Sequence, residues 1–143
     1  MAKIKLKIKN SGFVILFAVT LAAILLSIAL GVSNIALKEI KFGTSAKDAN
    51  EAFFAADSGI EFALFNDKTP NFYQIGTTTF PVSGLGSTGQ GCANVSVSKI
   101  ENGSTPPLVI TTITAKGYNL GGDVSGSCNP PSSSVEREIE TRY

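Results

Sequence analysis

The chain has 143 residues, of which 43% are hydrophobic and 16% charged, with a formal net charge of +1 and no histidine. That length allows one small domain once a membrane segment is set aside. The missing histidine removes the commonest general base near neutral pH, so no Ser-His-acid or Cys-His site can be built, and no basic patch with interleaved aromatics offers a nucleic-acid surface. Ser and Lys occur in no local pattern that suggests a dyad, so an enzyme is not expected and no cofactor is implied.

The N-terminus comes first in chain order and is the most informative part. Lys3, Lys5, Lys7 and Lys9 alternate with apolar residues, and no charge then appears until Lys38. From Phe13 to Val32 the apolar run is interrupted only by Thr20, Ser27 and Gly31. Twenty residues of this kind span a bilayer's hydrocarbon core at about 1.5 Å per residue. The lysines ahead of the run favour a cytoplasmic N-terminus and a translocated remainder. An ordinary secretory signal would instead be cut after its apolar core, near Ala29-Leu30-Gly31. The chain therefore divides into a basic leader (1–12), a membrane helix (13–33), an amphipathic extension (34–68) and a β domain (69–143).

In the extension, Phe42, Ala46, Ala49, Phe53, Ala56, Ile60 and Ala63 recur every three or four residues, the stripe of a helix with one packed face. Asn66, Asp67 and Pro70 mark its end. Phe13 to about Phe65 would form one rod of roughly 80 Å. Gly43-Thr44-Ser45 is a weak helical patch where a bend or break is expected, unless packing carries the glycine at a cost of about 1 kcal/mol.

The period then changes. Thr69 to Gly91 is rich in Gly, Thr, Ser and Pro and reads as loop, with a short strand at Thr78 to Val82. Ala93, Val95 and Val97 alternate with polar residues as a strand, and Leu108 to Ala115 is a second, rich in β-branched residues. Asn119 to Ser134 is a loop. Val135, Ile139, Thr141 and Tyr143 alternate with Glu136, Glu138, Glu140 and Arg142 as a third strand, with Arg137 breaking the apolar face near a sheet edge. Three antiparallel strands with one apolar face need a cover, and the amphipathic half-helix is the available one. The fold class is thus α+β.

Cys92 and Cys128 follow the membrane segment, and in a translocated domain they fit one disulfide pinning the second loop to the sheet; two free buried thiols are the alternative. Gly84-Leu85-Gly86-Ser87-Thr88-Gly89 matches a dinucleotide-binding pattern in letters only, since a loop precedes it and a strand follows. The triplets Asn94-Val95-Ser96 and Asn102-Gly103-Ser104 match glycan acceptors, a pattern that arises often by chance. Glu136, Glu138 and Glu140 share one strand face, which fits solvent exposure better than a cation site.

Three stretches carry a resemblance: Lys9-Asn10-Ser11-Gly12-Phe13 with the apolar helix behind it, Ala52-Phe53-Phe54-Ala55-Ala56-Asp57-Ser58-Gly59-Ile60-Glu61, and Ile113-Thr114-Ala115-Lys116-Gly117-Tyr118 with the strand at Val135 to Tyr143. Together they resemble type IV pilin-like proteins, in particular PilX-type minor pilins and pseudopilins. The resemblance implies a pilin-like fold, cleavage between Gly12 and Phe13 by a prepilin peptidase, and methylation of the new amino group of Phe13. It also implies other pilin or pseudopilin subunits and inner-membrane lipid as partners of the N-terminal helix. With the leader gone, eight basic side chains face eleven acidic ones.

The chain departs from the family where most pilins carry glutamate, the fifth residue of the mature chain, here Phe17. Without a carboxylate to meet a neighbour's N-terminal amine, a minor or tip-associated subunit is expected rather than a major one. Its helix offers Ala18, Ala22, Ala23 and Ala29 for close packing. The functional expectation is a structural minor pilin or pseudopilin of a type IV pilus-like or type II secretion-like filament. The alternative is a single-pass membrane-anchored adhesion or binding module.

Overall fold

A computed structural model describes residues 11–143 except 71, 106 and 124, with the side chains of Ser11 and Gly12 also outside the description. The leader expected at 1–12 therefore lies almost wholly outside the described residues. Helix α1 covers Ser11–Asp67. Four strands follow: β1 (Gly76–Leu85), β2 (Gly91–Glu101), β3 (Val109–Tyr118) and β4 (Glu136–Arg142). They form one antiparallel sheet in the order β1-β2-β3-β4. A long N-terminal helix packed against a small antiparallel sheet is the α+β architecture the sequence implies.

The chain divides into two compact units, one ending at Gly43 and one running from Thr44 to Tyr143. In the first, the helix is apolar and unburied: Phe13, Leu16, Phe17, Leu25 and Leu30 are all exposed. Helical assignment continues through Gly43, Thr44 and Ser45, so no break occurs there.

In the second unit, the helix covers one face of the sheet. Ala56, Ile60 and Ala63 pack in one cluster with Ala93, Val95, Val97, Ile113 and Ala115, and Ala52 and Ala55 are buried as well. This corrects the expected stripe. Phe42 is 79% exposed and Phe53 48%, while Ala52 and Ala55 take part in the packing. The reason is how closely the backbones approach. A Cβ on Gly117 of β3 would sit 2.2 Å from both the Ala52 carbonyl oxygen and the Ala56 amide nitrogen. A Cβ on Gly59 would sit 2.9 Å from a Val95 methyl. Only small residues fit such a contact, so Phe53 lies off it.

The sheet has four strands, not three. β1 extends the short strand expected at Thr78 to Val82 to Gly76 at its start and to Leu85 at its end. Thr78, Phe80 and Val82 alternate with Thr77, Thr79, Pro81 and Ser83, and the pairing Phe80↔Val95 and Val82↔Ala93 places the first set over the core. Pro81 is compatible with this strand because β1 is at the sheet's edge, where a missing amide hydrogen costs no ladder bond. β4 forms the other edge, and Arg137 sits there opposite Gly117.

Candidate functional site: the apolar anchor and the sheet's two ends

The helix from Phe13 onward is long and apolar enough to cross a membrane: its apolar 18-residue stretch has a mean hydropathy of 2.9 and is unburied. The two hydroxyls inside its apolar run are satisfied locally. Thr20 Oγ1 donates to the Phe17 carbonyl at 2.9 Å, and Ser27 Oγ donates to the Ile24 carbonyl at 2.8 Å. Thr20 and Ser27 therefore carry no unpaired hydroxyl donor into hydrocarbon, where each would cost several kcal/mol. Phe13, the expected mature N-terminus, is 75% exposed, and Phe17 also faces outward.

At its other end, the helix is fixed by a charged latch. Asp67 forms an ion pair with Lys99 of β2, and Tyr143 Oη donates to Asp67 Oδ2 at 2.7 Å. The backbone of Tyr143 also pairs with Thr111 through two hydrogen bonds of 2.8 and 3.0 Å. Helix, central sheet and last strand therefore meet at one carboxylate. Burial acts to raise the Asp67 pKa, but hydrogen bonds from Lys99 and Tyr143 outweigh it and hold the group below its ordinary value. Burial, and then the bond to Asp67, push the Tyr143 phenol up to about 12.

The pH consequences follow in sign. Asp67 has a depressed folded pKa, so its stabilisation is present above the ordinary carboxylate value and is lost as pH falls through the folded one. Tyr143 has a raised pKa, so its stabilisation is complete below about 10 and is lost as pH rises through about 12. Asp67→Asn is expected to flatten the acid limb of a stability-versus-pH curve from pH 5 to 2, measured by urea unfolding. An acid limb as steep as the parent's would show that other carboxylates control it.

The opposite end of the sheet is held by the disulfide. Cys92 and Cys128 are bonded, with their Cα atoms 5.5 Å apart, which excludes the two-thiol alternative. Cys92 is fully buried at the start of β2, and Cys128 lies in the loop between β3 and β4. The loop adds an isolated bridge between Gly122 and Cys128, and the Gly122 amide donates to the Gln90 carbonyl at 2.8 Å. Asp123 Oδ1 caps it internally, accepting from the Ser125 and Ser127 amides at 3.0 and 2.9 Å.

The other motifs find their places. Gly84, Gly86 and Gly89 all have positive φ and build the end of β1 and its turn into β2, with no helix following. That geometry provides no row of helix amides for a phosphate. Asn102 Oδ1 accepts from the Ser104 and Leu108 amides at 3.1 and 3.3 Å, closing the β2–β3 loop. Glu136 and Glu138 are exposed and flank Lys116 at 3.3 and 3.4 Å. Hydrogen bonds from Tyr118 and then Lys116 lower the Glu136 pKa, and the Glu136 hydrogen bond leads the causes that raise Lys116. Among the described residues, no group of three or more potential ligands could hold a metal.

Two features escaped the sequence. Phe62, Phe72, Tyr73 and Phe80 cluster beside β1, with Phe62 and Phe80 centroids 5.8 Å apart and Tyr73 stacked 6.0 Å from Phe80. The second is a shallow depression on the sheet face away from the helix, lined by Thr79, Pro81, Asn94, Ser96, Thr114 and Lys116. Both draw on β1 residues whose pairing the Gly/Thr/Ser/Pro-rich composition concealed.

Comparison of the chain with protein-family models, with curated proteins and with solved structures finds no match in any of the three. The physical features are those of a single-pass membrane protein: among the described residues, one apolar helix long enough to span, and a compact disulfide-bonded β domain.

Proposed function

We propose that this chain is a minor subunit of a pilin or pseudopilin filament, anchored in the cytoplasmic membrane with its β domain outside the cytoplasm. The observation that carries this is the double use of one helix. Its N-terminal part is an exposed apolar surface, and its C-terminal part is the core of the β domain. A simple anchor requires only a spanning segment and a linker, whereas a helix continued into the domain's core suits a subunit whose helices pack together. Prepilin peptidase would cleave between Gly12 and Phe13, and the amine of Phe13 would be methylated. The role is structural and not enzymatic.

A second function, a membrane-anchored adhesion or binding module, is favoured by one observation. Phe17 cannot offer a carboxylate to a neighbour's N-terminal amine, and an ammonium buried without a counter-charge is costly. Filament shearing separates the two. Immunogold labelling is expected to find the protein at scarce or terminal positions on sheared filaments. Phe17→Glu should increase the labelled positions while leaving the β domain's thermal unfolding unchanged. Dense labelling of unmutated filaments would contradict a minor role. Complete absence from filaments, with or without the glutamate, would leave the anchored module.

A further inference from the structure

The sheet face away from α1 has an ordered chemical pattern. Strand pairing aligns Thr79, Ser96 and Thr114 in one row across β1, β2 and β3. Thr77, Ser98 and Thr112 form the adjoining row on the same face. Neighbouring strands are about 4.8 Å apart and alternate residues about 6.7 Å apart, so the hydroxyls form a regular grid. On the other side of the first row, Pro81, Asn94 and Lys116 align in the same way. Between these last two rows lies the depression, with a volume of about 330 Å³. The side chains of Thr79, Asn94, Ser96 and Thr114 make no hydrogen bond among the described residues.

We propose that this depression binds a neutral saccharide chain. The charges on the face select the ligand class. Lys116 is compensated by Glu136 and Glu138, and Glu140 stands opposite Thr114 on β4. Arg142, opposite Thr112, is the other cation on this face, so three carboxylates on β4 outnumber two cations and the net negative charge disfavours acidic polymers. The hydroxyls and the Asn94 amide supply both donors and acceptors, which suits a ligand whose own hydroxyls do both. Most of the lining is apolar, from such groups as the Pro81 ring and the threonine methyls, and it can meet the C–H faces of a pyranose. An apolar peptide would strand these polar groups without partners, which is the basis for rejecting it.

This site deepens the binding-module function and does not depend on how the N-terminus is processed, so the two fail separately. The test uses the full chain, isotope-labelled, in a detergent without a sugar headgroup. Cellotetraose, chitotetraose and mannotetraose are titrated while amide shifts are recorded, with an oligogalacturonate as the anionic control. At least one neutral tetrasaccharide is expected to shift the amides around Thr79, Asn94, Ser96 and Thr114, and the oligogalacturonate none of them. Asn94→Ala removes an exposed group and Thr114→Val a half-buried hydroxyl on the outer face, and each should weaken binding about fivefold. Their unchanged thermal unfolding would show that the loss is local. No site-confined shift with any of the three neutral sugars would overturn the proposal. So would binding that both variants leave intact, or a preference for the oligogalacturonate.

Discussion

Gly117→Ala is expected to unfold the β domain at a temperature well below the parent. The added Cβ would meet the Ala52 carbonyl oxygen and the Ala56 amide nitrogen, each at 2.2 Å. Both are backbone atoms of a helix, and neither can rotate aside as a flexible side chain does. Relief requires lifting the helix from the sheet, which loosens the contacts of Ala56, Val95 and Ala115 together. Overpacking typically costs 1 to 3 kcal/mol, and a clash between backbones belongs at or above the top of that range. For a domain of about 100 residues, about 3 kcal/mol lowers the melting temperature by roughly 12 to 24 °C. Two other glycines provide a graded control. At Gly59 the new Cβ meets the Val95 methyl at 2.9 Å and Ala93 Cβ at 3.0 Å, side-chain atoms with some freedom to shift. Gly59→Ala should therefore cost less than Gly117→Ala. At Gly43 nothing lies within 4 Å, and alanine should improve local helix stability by up to about 1 kcal/mol. Circular dichroism melts of the three variants measure the order. A Gly117→Ala protein as stable as the parent would show that the helix does not lie this close to β3.

The second large effect belongs to the disulfide. Cys92 and Cys128 are 36 residues apart in sequence. In the chain-entropy model a loop of that length contributes about 3 to 4 kcal/mol. The double variant Cys92→Ala, Cys128→Ala avoids burying a serine hydroxyl at the fully enclosed Cys92 position. It should lose most of that stability in urea unfolding. The loss should also be local in hydrogen exchange. The amides of Gly122 and Asn129, bonded to the Gln90 and Gly121 carbonyls at 2.8 Å each, should exchange much faster. The helical amides from Ala52 to Ala63, buried on the far face, should remain the slowest. Equal acceleration across helix and loop would mean that the bond supports the whole domain and not the loop between β3 and β4.

Local chemistry made much of this architecture legible in the sequence. The apolar run after Lys9 identifies itself by length and by the absence of charge. The alternation in Ala93–Val97 and Leu108–Ala115 survives because those strands are central and bury one face. What stayed hidden depends on tertiary contact. Periodicity alone placed Phe53 in the packed stripe, because an aromatic at helical spacing usually marks the buried face. The packed face instead passes through Ala52, Ala55 and Gly59, because Gly117 brings the helix and sheet backbones together. β1 was legible only as the short strand at Thr78 to Val82: an edge strand with a polar outer face tolerates Pro81 and threonines, so its ends read as loop. The latch of Asp67, Lys99 and Tyr143 joins residues 76 positions apart in the chain, and no local pattern announces it. The hydroxyl grid emerges only once the register places Thr79, Ser96 and Thr114 side by side.

The central functional claim turns on where the mature chain starts. Intact-mass and N-terminal sequencing of protein from its native membrane measures this directly. The expected result is a chain beginning at a methylated Phe13, with Gly12→Ala leaving the longer precursor in the membrane because the junction needs a compact, flexible residue. A chain that retains Met1, or one that starts near Val32, would contradict the pilin-type assignment.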